Sequence, residues 1–142
     1  MTLDGTQKRF IDQLRSLATE GAEDRGALAE LRSGLGKQPG DMAHVHRHVA
    51  PYVPTTGYDD QWYYLTATLF GMYPQHRAGY SFGAAFHPLR ATSDSMDARF
   101  VALLNAHSDD LIDPLRHAVS LLRSNEQPLD WYQLLDDLLH WD

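Results

Sequence analysis

Apolar residues return every three to four positions along nearly the whole chain, and nowhere does a convincing strand pattern interrupt them. That periodicity restricts the chain to amphipathic helices packed on one another. The pattern is densest at the end, in LDWYQLLDDLLHWD. Asp130 stands where it can cap a helix. An advance of 100° per residue then gathers Trp131, Tyr132, Leu134, Leu135, Leu138, Leu139 and Trp141 into one arc, and leaves Gln133, Asp136, Asp137 and His140 on a polar arc. A leucine face carrying two tryptophans must cover something large, and the body of the domain is the expected cover.

The segment before it uses the same device. Asp113 and Pro114 read as a helix start, with aspartate accepting free amide hydrogens and proline giving up none that is needed. Leu115, Ala118, Val119 and Leu122 line one side, and Arg116 and Arg123 stand together at its margin, because seven residues turn about 700° and rise about 10.5 Å. Nearer the start, a first helix is expected over Thr6 to Thr19, with Phe10, Ile11, Leu14, Leu17 and Ala18 on one face. Gly21 breaks it. A second helix, Asp24 to Leu35, has Leu28, Leu31 and Leu35 as its stripe, and Arg25 and Arg32 repeat the spacing of seven at the edge. Those arginines either pair with Glu30 or Asp24 on a solvated face or share an anionic ligand.

GLGKQPGD lacks the spacing of a phosphate-binding loop and reads as a helix stop and turn with Lys37 exposed at its tip. MAHVHRHVAPYV is a short helix ending near Pro51. His44 and His48 share a face as i and i+4, but no third metal ligand is evident, and with Arg47 the segment reads as a partly cationic face. Pro54 to Gly57 separate it from the most apolar stretch, where Trp62, Tyr63, Leu65, Leu69 and Phe70 mark the central core helix; interleaved leucines argue against nucleobase-stacking aromatics. SFGAAFHPLR is a short helix capped by Ser81 and ended around Pro88. Ser95 is expected to cap the next helix, with Phe100, Val101 and Leu104 inward and Arg99 beside Phe100.

The 142 residues suffice for one domain with its own core. The reading is a single compact all-α bundle of about seven helices over 1–142. With no cysteine there is no disulfide framework, thiolate site or cysteine nucleophile, and a reducing cytoplasm is expected. The opening MTLDGTQKRF holds no apolar run suited to a signal peptide, and no stretch approaches a membrane span. Nineteen acidic against twelve basic residues, net −7, speak against a free-standing nucleic-acid binder unless the cations gather on one face. No carboxylate dyad, metal triad or nucleophile–base pair stands at a recognisable spacing, so neither an enzyme nor a cofactor is expected.

Several stretches resemble one family. DRGALAELRSGLG at 24–36, APYVP at 50–54, WYYLTATLFGMYP at 62–74, RFVALLNAHSDDL at 99–111, LRHAVSLLRS at 115–124 and the C-terminal D-W-x-x-L-L-x-D-L-x-x-W pattern look like the CasB-type small subunit of Cascade, the type I-E CRISPR surveillance complex. The resemblance implies a noncatalytic all-α subunit, present in two copies, that bridges the large subunit and the backbone subunits. It would steady the guide RNA–target DNA hybrid and the displaced strand of the R-loop. It also implies nucleic-acid contacts at Arg25 and Arg32, in the family's R-G-x-L-A-x-L-R element, and at Arg116 and Arg123, in L-R-x-A-V-x-L-L-[RK]. Arg99, before phenylalanine, and Lys37, after G-L-G, complete the set. The chain departs from the family in its acidity, with Asp136 where members often place arginine or lysine. The competing expectation is a helical protein–protein adaptor without nucleic-acid contact, its arginines in ion pairs and its Trp141 helix as the contact.

Overall fold

A computed structural model describes residues 3–37, 41–53 and 59–141. Its α-helices are α1 (Gly5–Ser16), α2 (Arg25–Arg32), α3 (Ala43–Val49), α4 (Asp60–Met72), α5 (Phe82–Arg90), α6 (Asp94–Leu104), α7 (Ile112–Ser124) and α8 (Trp131–Leu139), with 3-10 turns at Ala50–Tyr52 and Ser108–Asp110. No strand occurs among the described residues, and eight helices stand close to the seven or so expected. The prolines and glycines of 38–40 and 54–57, expected to form turns, lie outside the described residues.

Sequence decides most helix starts directly. Asp4 accepts from the Gln7 amide (2.8 Å) while the Gln7 side chain accepts from the Asp4 amide (2.9 Å), a reciprocal cap on α1. Asp24 caps α2 through the Ala27 amide (3.0 Å), and Ser81 caps α5 through that of Ala84 (3.2 Å). Two starts differ from expectation. Ser93, not Ser95, caps α6, accepting from Met96 (3.1 Å). α7 opens at Ile112 without a side-chain cap, since Leu111 is itself in helical conformation, and the Asp113 carboxylate turns instead to Arg116 (3.3 Å). Pro114 still costs no hydrogen bond there, because the first amides of a helix have no partner to lose. Pro88 does not end α5 either. The helix runs on to Arg90, whose guanidinium holds Asp97 of α6 at 2.6 Å.

α4 is buried all round, every residue from Trp62 to Gly71, and the other helices dress it. α2 crosses it so closely that glycine is required on both sides. A Cβ on Gly71 would lie 2.6 Å from Leu31 Cβ and 2.9 Å from the Arg32 amide nitrogen. One on Gly34 would lie 2.6 Å from Thr68 Cγ2. Around this crossing one buried cluster runs from Leu3 through Phe10, Leu31, Val49, Phe70, Phe86, Leu115 and Trp131 to Leu138.

On α6 the inward residues are Phe100 and Leu103, whereas Val101 and Leu104 are exposed. The Phe100 ring stacks on Phe82 and Phe86 of α5, with centroids 6.1 and 5.3 Å apart, and this sets the rotation of the helix.

α8 is fixed by its first turn. Asp130 Oδ1 accepts from Tyr132 and Gln133, and its Oδ2 accepts from the Gly79 amide (3.0 Å), tying the loop before α5 to the helix start. Trp131 sends its amide to His76 Nδ1 (3.2 Å) and its indole N–H to the Gln75 carbonyl (2.6 Å). The leucine face packs on the body as expected, and the Trp141 indole donates to the Ala106 carbonyl (2.9 Å). The arc expected to be wholly polar is not wholly solvated: Asp136 is buried at 8% exposure, its carboxylate 3.4 Å from His140 Nδ1.

Two consequences can be measured. Gly71→Ala should lose about 1–3 kcal/mol in urea unfolding, as overpacking outweighs the helix propensity gained. Gly83→Ala in α5, with Phe100 at an ordinary 3.8 Å, should be neutral or slightly stabilising. His76 must be unprotonated at Nδ1 to accept the Trp131 amide, and burial first, then the nearby Arg15, holds its pKa below the ordinary 6.5. The unfolded chain therefore binds this proton more readily, so stability is complete above about pH 6.5 and falls as pH drops through the lower folded value. The melting temperature should fall between pH 7.5 and 5.5, and fall less in His76→Asn, which keeps an acceptor that does not titrate.

Candidate nucleic-acid interface

α2 carries Arg25 at its first residue and Arg32 at its last, and the two have different surroundings. Arg32 Nη1 donates to the Gly71 carbonyl (3.2 Å), among the last carbonyls of α4, which have no amide ahead of them in the helix. A cation there also meets the negative end of the α4 dipole. Arg32 is therefore tied into the α2–α4 crossing. Arg25 is exposed and makes no ion pair among the described residues. Glu30, expected as a partner for these arginines, is taken by Arg47, which reaches across from α3; the guanidinium hydrogen bond is the main reason its carboxyl titrates below the ordinary range.

The turn after α2 then runs toward α7. Gly36 has φ of 79°, a left-handed turn conformation that favours glycine, and it lies beside Arg116, whose Nη1 would be 2.9 Å from a Cβ at this position. Lys37 follows, exposed, and with Arg116 lines one cleft of about 450 Å³. Its other charged residues are carboxylates: Asp109, Asp110 and Asp113, the last paired with Arg116 at 3.3 Å. Arg123 stands exposed two turns along α7 on the Arg116 side, about 10.5 Å further on.

The structure thus brings Lys37 and Arg116 together, with Arg123 continuing their line. Arg25 stands at the far end of α2. Arg99 is elsewhere, in a groove between α6 and α7 that none of the other five lines. The sequence placed Gly36 in a turn but not beside Arg116, and it did not show that carboxylates would line the same cleft. The run of aspartates at 109, 110 and 113 was legible as charge, but nothing local said that it would face the turn after α2.

On α3, His44 Nδ1 and His48 Nε2 lie 4.0 and 3.7 Å from Glu30. His48 titrates below its ordinary range, through burial first and Arg47 second. No group of three such side chains among the described residues is arranged to hold a metal ion.

Residues 27–142 match the family described as CRISPR-associated protein Cse2. The chain belongs to the Cse2 family. A curated Cse2 from Thermus thermophilus is 32% identical over 138 residues, covering 94% of this chain and 79% of its own length. A crystal structure of CasB from Thermus thermophilus superposes with a TM-score of 0.79 at 31% identity, over 96% of this chain and 87% of that one. A chain of a CRISPR RNA-guided surveillance complex superposes at 0.76 with 26% identity, over 96% and 82%. The CasB-type resemblance read in the motifs is therefore correct, and this Cse2 chain shares the all-helical architecture over almost its full length. Its cations divide between structural and open positions. Arg32→Ala should lower stability by about 0.5–1.5 kcal/mol, through a charged hydrogen bond and a dipole contact. Arg25→Ala should leave the urea midpoint unchanged.

Proposed function

We propose that this Cse2 chain is a noncatalytic small subunit of a type I-E Cascade ribonucleoprotein. It would work in the cytoplasm as one domain over 1–142, in two copies, beside the backbone and large subunits. Its role is to hold the guide RNA–target DNA hybrid and the displaced DNA strand by neutralising phosphates. The observation that carries this reading is the convergence of Lys37 and Arg116, from distant parts of the sequence, on one cleft, with Arg123 extending the line along α7. Its likeness to a chain of an RNA-guided surveillance complex supports the same assembly. Arg25 adds an open cation on α2, and Arg32 contributes mainly by placing that helix. Such contacts fix position without reading sequence.

The acidic wall gives the cleft a second consequence. Asp113 competes with any phosphate for Arg116, so binding outside the particle should be weak and steeply reduced by salt. The adaptor reading draws on the same three carboxylates, which suit a basic protein partner, but its proposed contact at Trp141 is engaged with Ala106.

The native mass of the co-expressed particle should show two copies. In R-loop retention measured against salt, Arg25→Ala, Arg116→Ala and Arg123→Ala should each lower affinity and reduce the log–log salt slope by about 1. Unchanged slopes for all three, with the particle assembled, would transfer the role to protein contacts.

A further inference from the structure

Val101 and Leu104 are the large hydrophobic side chains left exposed among the described residues, at 42% and 52%, and both are on α6. Leu104 borders a separate cleft with Asp136, Asp137 and Trp141, and neither residue lines the α6–α7 groove, about 380 Å³, which has Leu103 and Ala118 at its base and Ala102, Pro114 and Leu121 along its sides. Phe86 and Phe100 also border it, but they are 1% and 4% exposed, with rings committed to stacking within the core. They present no face for a nucleobase. A groove walled by alanine, proline and leucine instead fits an aliphatic side chain.

Its charge is equally selective. In a chain with 19 acidic residues, no carboxylate lines this groove, whereas three line the Lys37–Arg116 cleft. Arg99 and His117, both exposed, lie at its rim, and Arg99 has no ion pair among the described residues. A partner helix that buries a leucine-like residue here and carries an aspartate or glutamate one turn away would satisfy both features at once.

We propose that the α6–α7 groove docks an acidic amphipathic helix of another protein subunit of the particle, with Arg99 as its charge anchor rather than a phosphate contact. This rests on the subunit reading above and names a surface that reading leaves unused.

The test uses the chain co-expressed with its protein partners and guide RNA. Leu121→Lys, on the groove wall, adds a cation, so it does not weaken phosphate binding through charge, yet it should cut incorporation into the particle roughly tenfold or more, as truncated interface anchors do. A benzophenone amino acid in place of Ala102 should cross-link to a helix of a different subunit, within a turn of an Asp or Glu. Arg99→Glu should suppress that adduct, and reversing the partner's carboxylate to lysine should restore it. Normal incorporation of Leu121→Lys, or an adduct on nucleic acid or on a second copy of this chain, would overturn the proposal. So would a particle that contains the probe and gives no adduct, an outcome that also decides the matter if Leu121→Lys fails to fold. A wild-type chain that enters no particle overturns the subunit reading and the docking proposal together; an assembled particle indifferent to the groove overturns only the latter.

Discussion

The close crossing of α2 over α4 is the contact on which the other arrangements depend. A fully buried helix cannot be approached to backbone distance unless side chains are missing where the axes meet, and Gly71 and Gly34 supply the two gaps. With α2 so low on α4, Leu28 and Leu31 seal the core and Arg32 reaches the Gly71 carbonyl. The turn that follows is thereby delivered to α7, where Gly36 lies beside Arg116. A larger residue at the crossing would displace the cleft as well as strain the core.

The charges are distributed by the same packing. Arg47 neutralises Glu30, Arg90 holds Asp97 and stacks over Phe100, and Arg116 shares Asp113. Arg25, Lys37, Arg99 and Arg123 remain without ion pairs among the described residues. A net charge of −7 therefore does not describe any one surface. Open cations stand at α2, at the turn after it and on α7, while carboxylates line the Lys37–Arg116 cleft and gather around the end of α8. Field, rather than total charge, decides which surface a polyanion meets.

Much of the fold was legible because helix periodicity and caps are local. Ser81 and Asp130 act as the caps their positions suggested, and α4 is the central helix its composition announced. The misreadings arose where packing outvoted local preference. Ser93 displaced Ser95 as a cap, Asp113 gave its carboxylate to Arg116, and the α5 phenylalanines rotated α6 so that Leu103 went in and Val101 and Leu104 stayed out. Asp136, placed by periodicity on the solvated arc, was enclosed by its surroundings.

By itself the sequence determined an all-helical chain, its helix order, its core leucines and aromatics, and its membership of the Cse2 family through motifs spread along the chain. It also identified six cations, four at the edges of apolar stripes, one beside Phe100 and one at a loop tip. Only the tertiary structure decided what each one does: Arg32 became a tie to α4, Lys37 and Arg116 a shared cleft, and Arg99 the rim of a separate groove. The physical reason is that a helical repeat fixes the side of a helix on which a residue stands. What stands opposite is fixed by how closely, and in which sense, the helices cross.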